Sequence, residues 1–283
     1  ITLSDSASSF TGDAFTSVTL VGGTGADTID FSGGAGVVSS VTGGTGNDSL
    51  LFAAVNTSTL LGGGGEDTFA FSGAVSNSVV TFTADNKTLF TSSAGITSST
   101  LTGGSGADTI IFGANAVSST LLGGGGADSI AIAGSSTGNR VIGGDGADTI
   151  RFAAFASSSS ISGGSGNDTI SFVAAFTSAS SGNTYFFGTN GGSDTINFGT
   201  TFSAGNNVAA GTALTIAYSA DLGATNTAIT VDSTTYASTS QTKIAIGTDK
   251  AVWVVGYSSG AISNGAGPIA LVTVANSTIT ALG

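Results

Sequence analysis

The sequence predicts an all-β fold, a parallel β-roll or solenoid of stacked coils about 20 residues long. Three observations carry that expectation. A glycine–aspartate block recurs at near-constant spacing, apolar residues two apart flank each copy, and the composition is rich in glycine and poor in charge.

The block GGTGADTIDF runs over residues 22–31 and returns as GGTGNDSLLF at 43–52, GGGGEDTFAF at 62–71 and GGSGADTIIF at 103–112. It continues as GGGGADSIAI at 123–132, GGDGADTIRF at 143–152 and GGSGNDTISF at 163–172, with a worn copy, TNGGSDTINF, at 189–198. The aspartates are Asp27, Asp48, Asp67, Asp108, Asp128, Asp148, Asp168 and Asp194, separated by 21, 19, 41, 20, 20, 20 and 26 residues. The separation of 41 is two periods with the middle turn altered. There Asp85-Asn86-Lys87-Thr88-Leu89-Phe90 keeps the phase without the glycines, and Lys87 is read as an ammonium standing where a metal would sit.

Two residues before each glycine pair sits an apolar side chain: Leu20, Val41, Leu60, Leu101, Leu121, Val141 and Ile161. After each aspartate the order is Thr or Ser, apolar, variable, apolar, the alternation of a strand with one face buried. Each coil therefore reads as strand, short Ala/Ser loop, strand, glycine turn. Two strands of about four residues bury no core alone, but stacked coils do, with successive strands about 4.8 Å apart. Ile29, Leu50, Phe69, Ile110, Ile130, Ile150 and Ile170 then form one interior row. Phe31, Phe52, Phe71, Phe112, Ile132, Phe152 and Phe172 form the next. Helix is excluded by the spacing of two and by recurrent glycine pairs, each glycine costing about 1 kcal/mol in a helix interior.

Composition narrows the chemistry. The 283 residues include 46 glycines and one proline, with no Cys, Met or His; seventeen acidic side chains face five basic ones, for a net charge of −12. Nucleic acid is a poor partner for such a chain, because phosphate contacts need Lys and Arg. Without His or Cys the usual general bases, nucleophiles and zinc or copper ligands are missing, so no enzyme activity is expected. There is no run of about 20 apolar residues, so membrane insertion is not expected. The start at Ile1, with neither a basic stretch nor an apolar signal core, suggests a fragment or processed product.

Stacking brings one aspartate per coil onto a common ridge, and like charges that close need a counter-charge. Glycines let the turn carbonyls point inward, so carbonyls and carboxylates from adjacent turns make an all-oxygen shell that suits Ca²⁺ better than Mg²⁺. The blocks resemble the GGxGxDxUx nonapeptide of the RTX, or haemolysin-type calcium-binding, repeat family. That resemblance implies a right-handed parallel β-roll with ions between consecutive turns. It implies ligation by Asp27, Asp48, Asp67, Asp108, Asp128, Asp148 and Asp168, with Asp194 in the worn copy. It also implies carbonyl ligands from the glycine segments: Gly22, Gly23 and Gly25; Gly43, Gly44 and Gly46; Gly62, Gly63 and Gly65; Gly103, Gly104 and Gly106. Gly123, Gly124 and Gly126, then Gly143, Gly144 and Gly146, then Gly163, Gly164 and Gly166, complete the set. Familiar members repeat the motif every nine residues and carry ions on both edges. Here one turn per coil has the motif, so a single row of about five or six ions is expected. Intact neighbours are 27/48, 48/67, 108/128, 128/148 and 148/168; Thr189 and Asn190 weaken 168/194. Asp30, Glu66 and Asp145 are read as solvated charges beside the turns, and glycosylation at Asn47 or Asn167 is not expected inside metal turns.

Residues 1–198 are thus expected to form the roll and residues 199–283 a β-rich cap or secretion-associated region, with Trp253 as its core anchor. The family resemblance implies a type I secretion signal at the C-terminus, with which the ending TITALG is compatible. The acidic, Cys-free, Ala/Thr/Ser/Gly-rich composition is similar to that of bacterial S-layer proteins with RTX repeats. The leading expectation is therefore a calcium-dependent structural protein of a surface layer or extracellular matrix. It would self-assemble into a homo-oligomer or lattice at the cell surface, with a cell-surface polysaccharide as candidate partner. Two other readings stay open: the secretion and folding module of a larger toxin or hydrolase, and an RTX adhesin for ice or another surface.

Overall fold

The structure, a computed structural model, describes residues 1–3, 5–37, 39–83, 87–174, 182–187 and 192–198. Beyond them it describes the backbone of strands Leu214–Ser219, Ile229–Asp232, Gln241–Ile246, Lys250–Val255, Ile262–Ser263 and Ile269–Val274. Two compact units form, residues 1–134 and 135–283; in each the described strands up to residue 198 stack as a parallel β-solenoid, and there is no helix among the described residues.

In the first unit every full coil contributes to three parallel sheets. The longest strands run up to the glycine turn: Thr19–Thr24, Ser40–Thr45, Thr59–Gly64, Val79–Thr81, Thr100–Gly104 and Thr120–Gly125 pair in that order. The strands that leave the turn are Ser9–Thr11, Thr28–Phe31, Ser49–Phe52, Thr68–Phe71, Leu89–Ser92, Thr109–Phe112 and Ser129–Ile132. The third sheet lies where the sequence suggested only an Ala/Ser loop. Its strands are two residues long, from Phe15–Thr16 and Gly36–Val37 to Ala116–Val117. A two-residue strand has one inward side chain, such as Val55, Val75 or Ile96, and so shows no period for the sequence to display.

The inward rows stack as the repeat predicts within this unit. Leu20, Val41, Leu60, Val80, Leu101 and Leu121 are fully buried, and Phe90 joins the row of Ile29 and Phe69. Phe52 and Phe71 stack with ring centres 5.1 Å apart. Burying each such side chain contributes about 1.5–3 kcal/mol. One member of the phenylalanine row is polar: Ser92 faces Phe71 and Phe112 in register, and its hydroxyl donates to the Gly73 and Ala94 carbonyls at 3.2 Å.

In the second unit Arg140–Asp145, Ser160–Ser165 and Asn183–Phe187 form one sheet, and Thr149–Phe152, Thr169–Phe172 and Ser193–Phe198 another. The strands past residue 199 extend these sheets. Lys250–Val255 pairs in parallel with Ser193–Phe198, while Leu214–Ser219 joins Asn183–Phe187 and is followed by Ile269–Val274. Direction then changes, as Gln241–Ile246 and Ile229–Asp232 add antiparallel. The expectations for the Trp253 side chain, for Thr189 and Asn190 and for the ending TITALG lie outside the described residues.

Candidate metal-binding turns

The turn geometry follows from where the parallel ladder breaks. Strand pairing joins Val21 to Thr42 and Gly23 to Gly44 but passes over Gly22 and Gly43. The same omission recurs at Gly43 and Gly62, at Gly103 and Gly123, and at Gly143 and Gly163. The second glycine explains it: Gly44 has φ +123°, which an L side chain rarely adopts, and a Cβ there would strike the Gly23 carbonyl. The backbone swings at that residue, so the first glycine of each pair leaves the ladder. The third-position carbonyls stay inside it, with Gly25 N–H donating to Thr45 at 2.7 Å and Gly146 N–H to Ser165 at 2.8 Å.

The motif aspartates lie just inside these turns, each no more than 2 % exposed. One carboxylate oxygen is spoken for. Asp48 Oδ1 accepts the backbone N–H of Asp27 at 2.8 Å, Asp67 Oδ1 that of Asp48 at 3.0 Å, and Asp128 Oδ1 that of Asp108 at 2.7 Å. In the second unit Asp168 Oδ1 accepts from Asp148, and Asp194 Oδ1 from Asp168, both at 2.9 Å. In five of the aspartates the other oxygen is not. Oδ2 of Asp27, Asp48, Asp67, Asp108 and Asp168 is buried without any hydrogen-bond partner. A buried, unpaired carboxylate oxygen costs several kcal/mol if charged, so a row of them calls for a cation.

The space beside each Oδ2 fits one. A Cβ built on Gly22 would lie 2.6 Å from Asp27 Oδ2 and against the Gly43 carbonyl oxygen of the next coil; on Gly43 it would lie against Asp48 Oδ2 and 2.7 Å from the Gly62 carbonyl. Gly103 faces Asp108 Oδ2 and the Gly123 carbonyl in the same way, and Gly143 faces Asp148 Oδ2 and the Gly163 carbonyl. Glycine keeps open a wedge bounded by a carboxylate oxygen and a carbonyl oxygen, the hard donors that Ca²⁺ takes at 2.3–2.6 Å. No group of three or more His, Cys, Asp or Glu converges among the described residues, so backbone carbonyls and water must complete the shell.

Electrostatics agree. Burial pushes the carboxyl groups of Asp48 and Asp108 up, and raises Asp67 and Asp168 to about 6, with the neighbouring Asp48 charge adding to the effect at Asp67. Asp194 is raised to about 8, again by burial first. Its Oδ2 differs from the others, because the buried Tyr185 hydroxyl donates to it.

One sequence expectation is corrected here. Lys87 is exposed. Thr88 takes the aspartate position instead: it is buried, and its N–H and hydroxyl both donate to Asp108 Oδ1, at 2.8 and 2.6 Å. Phe82 follows Thr81 as Gly62 follows Leu61, and its ring comes within 3.0 Å of the place a Gly62 Cβ would take. The strands Ser9–Thr11 and Phe15–Thr16 belong to a further coil not foreseen from the motif, with Ser8 N–H donating to Asp27 Oδ1 at 2.7 Å. Asp85 and Asn86 lie outside the described residues. Glu66 and Asp145 are exposed, and the Asn47 and Asn167 side chains accept the N–H groups of Glu66 and Ser193.

A second polar ladder runs along the opposite turn. The N–H groups of Ser39, Ser58, Ser78 and Ser99 donate to the hydroxyls of Ser58, Ser78, Ser99 and Ser119 in the next coils, at 3.0–3.3 Å. Each hydroxyl donates to the carbonyl two residues back, as Ser78 does to Ser76 at 2.6 Å. The preceding residue takes a left-handed conformation, with φ between 48° and 53° at Thr57, Asn77 and Ser98. Its sequence signal was serine recurring in phase, hidden among many other serines.

No curated protein matches the chain. A family model does: the RTX calcium-binding nonapeptide repeat matches in four copies, at residues 17–38, 93–116, 132–152 and 156–172. The turn at Gly43 falls outside those segments yet shares the geometry of the turns at Gly22, Gly103 and Gly143. Proteins with these repeats bind calcium and are typically secreted, and no helix among the described residues is long and apolar enough to cross a membrane. By its aspartate row and these four matches, the chain is one that carries RTX calcium-binding repeats.

Proposed function

We propose that this chain is a calcium-folded structural protein of an extracellular assembly, a bacterial surface layer in the first instance. The row of buried aspartates with unsatisfied Oδ2 atoms carries the calcium dependence. At low calcium the carboxylates repel one another and resist burial; outside the cell, ions bind and the coils close, so metal affinity becomes folding free energy. Each ion sits between an aspartate Oδ2 and the first-glycine carbonyl of the following coil, in a single row of about five or six. The structural role is supported by composition: the solenoid faces are rich in Thr, Ser and Ala, the chain is only 8 % charged, and it has neither His nor Cys for catalysis. The expected partner is further copies of the same chain, with a surface polysaccharide as anchor. Electron microscopy of the native material with and without calcium tests this reading. An ordered layer that dissolves on chelation supports it; dispersed particles in both conditions contradict it.

A further inference from the structure

We propose that two positions per coil, the first glycine and the aspartate, decide together whether a turn takes calcium, and that three coils are built to do without it. The inference rests on the calcium reading above and concerns which turns are excluded from it.

The three coils share one logic. In the N-terminal coil Thr2 pairs with Val21, so Leu3 stands where Gly22 stands in the next coil, and Ser8 stands at the aspartate position. In the coil that holds strands Val79–Thr81 and Leu89–Ser92, Phe82 stands at the glycine position and Thr88 at the aspartate position. Thr83 then donates to the Gly63 carbonyl at 3.0 Å, supplying a donor to the preceding turn. In the coil that holds strands Asn183–Phe187 and Ser193–Phe198 the aspartate remains, but the Tyr185 hydroxyl satisfies Asp194 Oδ2.

In each case a hydroxyl stands in place of the ion or its ligand, and in the first two a bulky apolar residue takes the glycine position. The interior ladder continues through the backbone, because the N–H groups of Ser8 and Thr88 donate to the Oδ1 atoms of Asp27 and Asp108 as an aspartate N–H does. The two changes belong together. Aspartate beside a filled wedge would be a buried charge with no room for a counter-ion, while an open wedge beside threonine would lack the carboxylate. The Phe82 ring also comes within 3.0 Å of the place a Gly62 Cβ would take, beside the Asp67 carboxylate.

Metal counting on the gel-filtered full chain tests the rule. The native chain, Phe82→Gly, Thr88→Asp and the double variant are equilibrated with calcium and analysed by plasma emission, with circular dichroism to confirm folding. The double variant should gain about one ion per chain, while each single variant stays at the native count. No gain in a folded double variant, or an equal gain in Thr88→Asp alone, overturns the inference. Should the double variant not fold, Gly43→Leu with Asp48→Ser copies the N-terminal coil at the same length; it should fold in calcium with at least one ion fewer, and an unchanged count overturns the rule. A native chain that binds no calcium would instead overturn the calcium reading itself.

Discussion

The backbone N–H of Asp27 donates to Oδ1 of Asp48 at 2.8 Å, while Oδ2 of Asp48 is buried and has no partner. One side chain thus ties two coils together and leaves its second oxygen for a cation. Asp48→Asn separates these tasks. The amide oxygen keeps the bond to Asp27, and the amide N–H₂ takes the place of Oδ2 near the Gly62 carbonyl. Thermal melts should show the variant more stable than native by about 1–3 kcal/mol in chelator. In calcium it should be less stable than native, with a weaker fit in titration calorimetry.

Gly43→Ala and Gly44→Ala should fail differently. A methyl on Gly43 enters the wedge between Asp48 Oδ2 and the Gly62 carbonyl, so calcium affinity falls while the backbone conformation remains allowed. A methyl on Gly44 meets the Gly23 carbonyl at a φ of +123°, which should cost about 2 kcal/mol or more with calcium present or absent. Calorimetric titration beside melts in both conditions separates the two.

The pH dependence of the metal-free chain follows from Asp67 and Asp168. Burial raises both folded-state carboxyls to about 6, above the 3.8 of the unfolded chain. Their contribution to stability is therefore fully present below about pH 4 and lost as pH rises through about 6. In chelator, acidification from neutral pH to about 5 should raise the melting temperature. With calcium bound the carboxylates must stay ionised, and the same acidification should lower it.

Tyr185→Phe removes the donor to Asp194 and leaves a buried carboxylate oxygen unsatisfied. A loss of about 1–3 kcal/mol is expected. Because burial holds the Asp194 carboxyl at about 8, raised above its unfolded value, the loss should shrink as pH falls and protonation relieves the charge. Melts at several pH values read it.

Ser58→Ala tests the ladder on the opposite turn. It removes the acceptor of Ser39 N–H and should cost about 1 kcal/mol equally with and without calcium.

How much of this was legible depends on what repeats. The motif aspartates and the rows of Ile29 and Phe31 recur in phase, and a solenoid turns such recurrence directly into register, as Ile29 beside Leu50 shows. The third sheet was not legible, because a strand such as Val55–Asn56 is too short for alternation. Nor was the role of Phe82 and Thr88. The stretch from Thr81 to Leu89 is one residue longer than that from Leu61 to Thr68, so counting from the last aspartate led to Lys87 rather than Thr88. Tyr185 was hidden for another reason: its bond to Asp194 joins two strands of one coil, and no neighbouring repeat carries the same pair.

The central claim is that calcium, bound along the Oδ2 row, holds the solenoid closed. Far-ultraviolet circular dichroism of the full chain at neutral pH, in calcium and then in excess EGTA, tests it most directly. The account predicts a β-sheet spectrum in calcium whose thermal midpoint falls sharply on chelation and recovers when calcium is restored; an unchanged midpoint in EGTA would contradict it.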